Sequence, residues 1–229
     1  MDDLIRYIPL LMRGAVVTVM LGLLGLVLAT VFGAFGAAGK LSGGALVRAL
    51  VAAYTTIVRG VPDLVMILLL YFGGQRLLNL LAESVGGEPV ELSKFWAGVF
   101  AIGFIYGAYL TETFRGAWMT VPKGQAEAAK ALGLGRWQGL WTVMLPQVVR
   151  FAVSGYANIW QVLIKATAVV SVIGLEDFVG LANDAGKTVR QPFLFFSFVL
   201  LGYLFLTFVS TRVFAFVERR TALVGHNAR

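Results

Sequence analysis

The side chains able to do chemistry in this 229-residue chain are few, and they sit among apolar residues. Arg59, Asp63, Glu112 and Lys165 fall within or at the margins of long hydrophobic runs, as do Arg76 and Arg212. An ionised residue at the centre of a membrane helix costs roughly 2.5 to 3.5 kcal/mol on insertion scales, so such residues face protein or a water-filled cavity. Opposite charges around one cavity suit a charged solute. Asp63 offers a carboxylate to an ammonium or guanidinium, and Lys165 offers an ammonium to a carboxylate. Asn158, Gln161 and Lys165 follow i, i+3, i+7 spacing and give one helix a polar face. With Arg59, Glu112 and Tyr106 they make up the candidate substrate-binding set. Structural alternatives stand beside each. Arg59 and Asp63, four apart, can pair with one another; Lys165 can bond a helix end or Glu112; Tyr106 and Tyr109 can be packing residues; Arg212 can extend to the interface.

Other chemistry is excluded by what is missing. Cysteine is absent, and the single histidine is His226 in the tail. Thiol nucleophiles, Cys-ligated metals, His-ligated intramembrane metals and Ser/His pairs therefore have no side chains to build them, and no metal site is expected. The fragment GKT at 186 to 188 invites a phosphate-binding reading, but GxxxxGK[ST] spacing needs glycine at 181, which is Leu181. ATP is therefore not expected to bind this chain. Asp63 and Glu112 are the groups left for an intramembrane carboxylate enzyme, and an ATP-independent channel or secondary carrier is the other competing class.

Hydrophobic residues make up 59% of the chain and charged ones 14%, against roughly 45 to 50% and about 25% in soluble domains. This is the composition of an all-α membrane protein. A bilayer core of about 30 Å needs about 20 apolar residues in a helix. Five stretches qualify: 14–38, 54–82, 95–114, 148–175 and 193–217. The intervening segments 39–53, 115–150 and 218–229 hold ten Lys and Arg, whereas 1–13, 83–94 and 176–190 hold five. Because cytoplasmic loops retain Lys and Arg, the N-terminus is expected outside and the C-terminus inside. The net charge of +7 then reads as an orientation signal, with no nucleic-acid partner. The domain division is an outer N-terminal segment at 1–12, a membrane domain at 13–217 and an inner tail at 218–229. Within the spans, Gly22, Gly25, Gly33, Gly36, Gly103 and Gly107 allow close helix approach. Trp118, Trp137, Trp141, Tyr203 and Phe216 are candidate interfacial anchors. Glu176 and Asp177 are expected at an outer, solvated turn, where they could meet an outside protein.

The largest inner segment, about 120–147, contains PKGQAEAAKAL at 122–132, a short helix by propensity. Lys123, Glu127 and Lys130 share one face, Ala126, Ala129 and Gly133 form a small-residue face, and Gly133 and Gly135 end it. A helix of about 11 residues is marginal alone in water, so it needs a partner surface.

The spacing Glu127, Ala128, Ala129, three residues, Gly133, nine residues, Val143, Met144, Leu145, Pro146 resembles the EAA loop of type I ABC importer permeases, with Val143 in place of the usual isoleucine. The stretches RGVPDLV (59–65), FIYGAYLTETFRGAWMTVPKGQAEAA (104–129) and NIWQVLIKATAVVSVIGLEDFV (158–179) resemble the polar amino-acid branch, near histidine, lysine/arginine/ornithine and opine permeases. That resemblance implies a five-helix permease fold in a bacterial inner membrane, moving polar, basic amino acids, with an opine or a neutral amino acid as the alternative cargo. It implies a cytoplasmic coupling helix bearing Glu127, Ala128, Ala129, Gly133, Leu145 and Pro146. It also implies partners: a homologous permease subunit or a second copy, two ATPase subunits that carry ATP and Mg, and a periplasmic solute-binding protein. The chain itself is then a non-catalytic subunit embedded in membrane lipid.

Overall fold

The computed structural model describes residues 2–221; Met1 and the end of the tail, His226 included, lie outside the described residues. The described chain is helical, without a strand. In order come α1 (Asp2–Ser42), α2 (Ala45–Gly60), α3 (Asp63–Ser84), α4 (Lys94–Thr120), α5 (Lys123–Ala131), α6 (Arg136–Gly139), a π-helical stretch (Leu140–Met144), α7 (Leu145–Val170), a 3-10 turn (Ser171–Ile173), α8 (Phe178–Thr188) and α9 (Pro192–Thr221). Five helical runs are long and apolar enough to cross a membrane: Leu4–Ser42, Asp63–Ser84, Lys94–Thr120, Arg136–Ile173 and Pro192–Thr221.

Two expected elements change. The second span does not begin at residue 54. Pro62 has no N–H and pushes Val61 to φ −105°, ψ 138°, which ends α2 at Gly60 and lets α3 start at Asp63. Residues 39–53, expected as a connection, are largely helical, because α1 runs on to Ser42 and α2 begins at Ala45. The connection at 176–190 likewise holds a helix, α8. Its N-cap is Asp177, whose Oδ1 accepts from the Gly180 N–H at 2.8 Å and from the Ser171 hydroxyl at 2.7 Å. Phe178, Ala182 and Ala185 bury its inner face against Leu11, Phe195 and Val199. Asp177 is 0% exposed, which corrects the expectation of a solvated turn; Glu176 beside it is exposed.

α4 is the most enclosed span, and α1 lies along it. The glycines mark where the two backbones close up. A Cβ on Gly33 would stand 2.6 Å from the Cβ of Leu110, one on Gly36 would overlap Thr111, and ones on Gly103 and Gly107 would stand 2.7 Å from Leu28 and 2.6 Å from Phe32. Gly22 faces Ile164 of α7 in the same way. These small residues serve contacts within the chain. The C-terminal ends of α1, α4 and α9 meet the start of α7 at one end of the bundle. The N-terminal part of α1 meets α8 and the start of α9 at the other, where Tyr7 and Phe195 pack edge to face.

Gly33→Val forces the α1–α4 seam apart and should lower stability by about 1 to 3 kcal/mol, read as a fall in Tm of the purified chain in detergent. Gly116→Ala, with nothing within 4 Å of the added methyl, should leave Tm unchanged or raise it. At the other end, burial pushes the Asp177 carboxyl above the usual carboxylate range, against the hydrogen bonds from the Gly180 N–H, the Ser171 hydroxyl and the Asp177 and Val179 N–H groups that favour its charged form. A folded-state pKa raised above the unfolded value of about 3.9 makes a contribution that is full below that value and lost as pH rises through the folded pKa. Asp177→Ala should cost about 1 kcal/mol through the lost cap. Asp177→Asn keeps an acceptor and cannot ionise, so its Tm should lack that alkaline-side loss.

Candidate functional site

The break between α2 and α3 places Asp63 at the first position of α3, with Tyr106 of α4 donating to its Oδ2 at 2.8 Å. Tyr106 is 2% exposed, 12 residues from the start of α4 and 14 from its end, or about 18 and 21 Å along the axis. Asp63 therefore stands beside the middle of the most enclosed span, although it opens its own helix instead of lying within one. Only one of its carboxylate oxygens is taken. Tyr106 is thus more than packing: it holds a carboxylate. Tyr109 stacks on it with ring centroids 5.7 Å apart.

Arg59 does not pair with Asp63. Among the described residues the ion pairs are Lys40–Glu112 and Arg115–Glu112. The Arg59 guanidinium lies 5.3 Å from the Tyr109 ring centroid, an attraction of cation to ring face. Next to it is a recess of about 530 Å³ lined by Lys40, Thr55, Thr56, Arg59, Gly60, Tyr109 and Glu112. Glu112 accepts from Lys40 through Oε1 and from Arg115 Nε at 2.9 Å through Oε2, and Lys40 also donates to the Thr55 hydroxyl at 2.7 Å. The alternative bond from Lys165 to Glu112 is absent, because Glu112 already has two cations. Lys40 escaped the sequence reading because α1 was expected to stop at residue 38; about one more helical turn, to Ser42, carries it into the bundle.

Arg59, Asp63, Tyr106 and Glu112 thus lie along one strip where α2 and α3 meet α4. Asn158, Gln161 and Lys165 lie on α7, and no hydrogen bond or ion pair among the described residues joins them to that strip. Asn158 and Lys165 are exposed, in line with Ser154 on the outward face of α7. Gln161 donates to Thr211 of α9 at 3.2 Å, and its Oε1 is buried without a partner. Arg212 rests over Phe208 of α9, 4.9 Å from the ring centroid.

The EAA segment folds as expected, with one correction. α5 runs Lys123–Ala131 after Pro122, and Gly133, at φ 76°, lets its N–H reach the Lys130 carbonyl while the Leu134 N–H reaches that of Ala129. Glu127 and Ala128 are exposed. Ala129 is 5% exposed and packs inward, its Cβ beside Gly139 of α6, so the small-residue face is partly used within the chain. Leu145 and Pro146 start α7, and Gln147 donates to Gln125 at 3.1 Å, tying α5 to that start. Around α5, Leu132 is 80% exposed, Trp137 75% and Trp141 65%. Those three apolar side chains were not part of the expected coupling set, although tryptophans flanking a helix of small residues were their visible sign.

The family described as binding-protein-dependent transport system inner membrane component matches residues 25–223. The histidine/lysine/arginine/ornithine transport system permease protein HisQ of Escherichia coli (strain K12) is 46% identical over 210 residues, 92% of each chain. The octopine transport system permease protein OccQ of Rhizobium radiobacter is 38% identical over 212 residues, 92% of this chain and 90% of its own. A crystal structure of an amino acid ABC transporter with histidines superposes with TM-score 0.78 at 27% identity, over 95% of this chain and 96% of that one. An inward-facing MetNI methionine ABC transporter shares the fold, with TM-score 0.68 at 18% identity over 93% and 97%. With the matched profile spanning most of the helical bundle, the chain belongs to the family of binding-protein-dependent transport system inner membrane components.

Proposed function

We propose that this chain is the permease subunit of an ATP-driven importer of basic amino acids. What carries the reading is the 46% identity to HisQ over 92% of both chains; the Asp63–Tyr106 pair supports it with a matching chemistry. The free oxygen of Asp63 receives the ammonium or guanidinium of the solute, Tyr106 fixes the carboxylate, and Arg59 beside the neighbouring recess attracts the solute carboxylate. On α7, the outward Asn158 and Lys165 need water or protein beside them in a bilayer, and a second permease subunit, homologous or identical, supplies it across the central path. Gln161, with its orphan oxygen, completes that wall.

The end of the bundle that carries α5 faces the cytoplasm, as the ten Lys and Arg of its segments favour. There Glu127 and Ala128, with Leu132 and Trp137 around them, dock on an ATPase subunit that binds ATP and Mg; two such subunits serve the pair of permeases. Gln147–Gln125 and the π-helical stretch make α5 and α7 move as a unit. A periplasmic binding protein delivers the solute at the opposite end, by α8. Alternating access around a midplane site follows from that lever. An opine as cargo is the second reading, favoured by the 38% identity to the octopine permease; octopine displacing labelled arginine more strongly than histidine does would establish it.

Asp63→Asn in vesicles containing the whole transporter should reduce uptake of arginine about ten- to hundredfold, the worth of a hydrogen bond to a charged group, with neutral amino acids affected much less. Tyr106→Phe should cost about tenfold or more, since a hydrogen bond to a carboxylate contributes about 1.5 to 3 kcal/mol. Equal loss for cationic and neutral solutes would remove Asp63 from the site. Glu127→Lys should abolish uptake while ATP hydrolysis by the assembled complex continues and the chain stays in the membrane. Unimpaired uptake would take Glu127 out of the interface.

A further inference from the structure

Lys40 of α1 donates to two other helices at once. One N–H goes to Glu112 Oε1 of α4, and a second goes to the Thr55 hydroxyl of α2 at 2.7 Å. Glu112 already has a cation of its own helix, because Arg115 Nε bonds its other oxygen at 2.9 Å. The Thr55 hydroxyl donates to the Ala52 carbonyl at 3.1 Å, which turns a lone pair of that oxygen toward Lys40. Thr55 is 3% exposed, and both residues stand at the edge of the recess between α2 and α4.

The far half of α2 has little apolar contact to hold it. Its first turns pack on α1, where Val47 and Val51 lie 3.3 and 3.2 Å from the place that a Cβ on Gly39 would take. Beyond them, Thr55 and Val58 are the buried residues, and Ile57 is 60% exposed. The remaining ties are polar: Tyr54 donates to the Phe104 carbonyl at 2.6 Å, and Lys40 holds Thr55. Thr55 and Arg59 are four residues apart and share a face of the helix. That turn carries Arg59 to the Tyr109 ring and the recess. Arg59 is exposed and has no carboxylate partner among the described residues, and attraction to a ring face is weak at an exposed site. Its place is therefore inherited from Thr55.

We propose that Lys40 is a positioning residue for the solute site: by holding Thr55 it fixes the last turn of α2 and keeps Arg59 over Tyr109, where the guanidinium meets the solute carboxylate. This role rests on the reading of Arg59 given above and adds the residue that sets it. Lys40 does not itself bind the solute, because its charge is balanced by Glu112 and a second N–H is taken by Thr55. The arrangement divides the work between two cations: one is spent on structure so that the other stays available.

Thr55→Val tests this with little disturbance, since it removes the acceptor, keeps the shape and leaves the Lys40–Glu112 pair in place. In the assembled transporter without solute, hydrogen exchange of the amides at 56–60 should quicken about tenfold, the worth of a bond from a charged donor, while exchange around Glu112 and the Tm stay as they are. Arginine uptake into vesicles should fall by a similar factor with ATP hydrolysis continuing. Lys40→Met should quicken the same amides, and Lys40→Arg, which keeps donors for both acceptors, should restore the slow exchange. Unchanged exchange at 56–60 in Thr55→Val would overturn the proposal, and so would quickened exchange with undiminished arginine uptake. A wild-type transporter that carries no arginine would sink the cargo reading instead, with the exchange difference still standing.

Discussion

The close contact of α1 with α4 is the constraint on which the rest of the molecule depends. Lipid tails are as apolar as leucine, so helices in a bilayer gain little by hiding hydrophobic surface, and association has to come from packing. Here it comes from glycines at positions 25, 33 and 36 of α1 and 103 and 107 of α4, each with a neighbouring side chain where a Cβ would stand. The approach that results puts Lys40 within reach of Glu112 and Thr55, seats Tyr54 so that its hydroxyl donates to the Phe104 carbonyl, and leaves Tyr106 buried with its hydroxyl directed at Asp63. A wider seam would lose the polar strip as well as the packing.

That strip shows how the chain tolerates charge inside an apolar body. Glu112 is flanked by two cations and remains partly open to the recess, so its ionised form keeps both partners and some solvation. Arg59 uses an aromatic face, and Asp63 uses one hydroxyl and keeps an oxygen open. The partners are therefore graded from saturated to incomplete along α4. Incomplete partners are where a solute would be held, because a fully paired site has nothing left to offer a ligand.

Much of the plan was legible in residue types. Five runs of apolar residues, the helix-forming alanines of 122–132 and the Gly133 turn needed no tertiary information, since hydropathy, propensity and a φ above zero are local properties. Pro62 lies inside the apolar run 54–82, which reads as one span by hydropathy, yet with the extended Val61 before it Pro62 separates two helices. α8 was missed because eleven residues that include Gly180, Asn183, Asp184 and Gly186 resemble a loop until Leu11 and Phe195 give their apolar face something to cover.

Residues alone determined the membrane class, the number of candidate spans and the short helix over Lys123–Ala131, because each depends on composition or on neighbours within a turn or two. Only the tertiary structure decided who meets whom. Glu112 takes Lys40 from 72 residues away in preference to Lys165, Asp63 takes Tyr106 in preference to Arg59, and Ala129 turns inward toward Gly139. The reason is geometric: an ionised group in a low-dielectric bundle accepts whichever partner helix packing brings within about 3 Å. Helix packing here is set by glycines whose effect is felt on the opposing helix and not on their own.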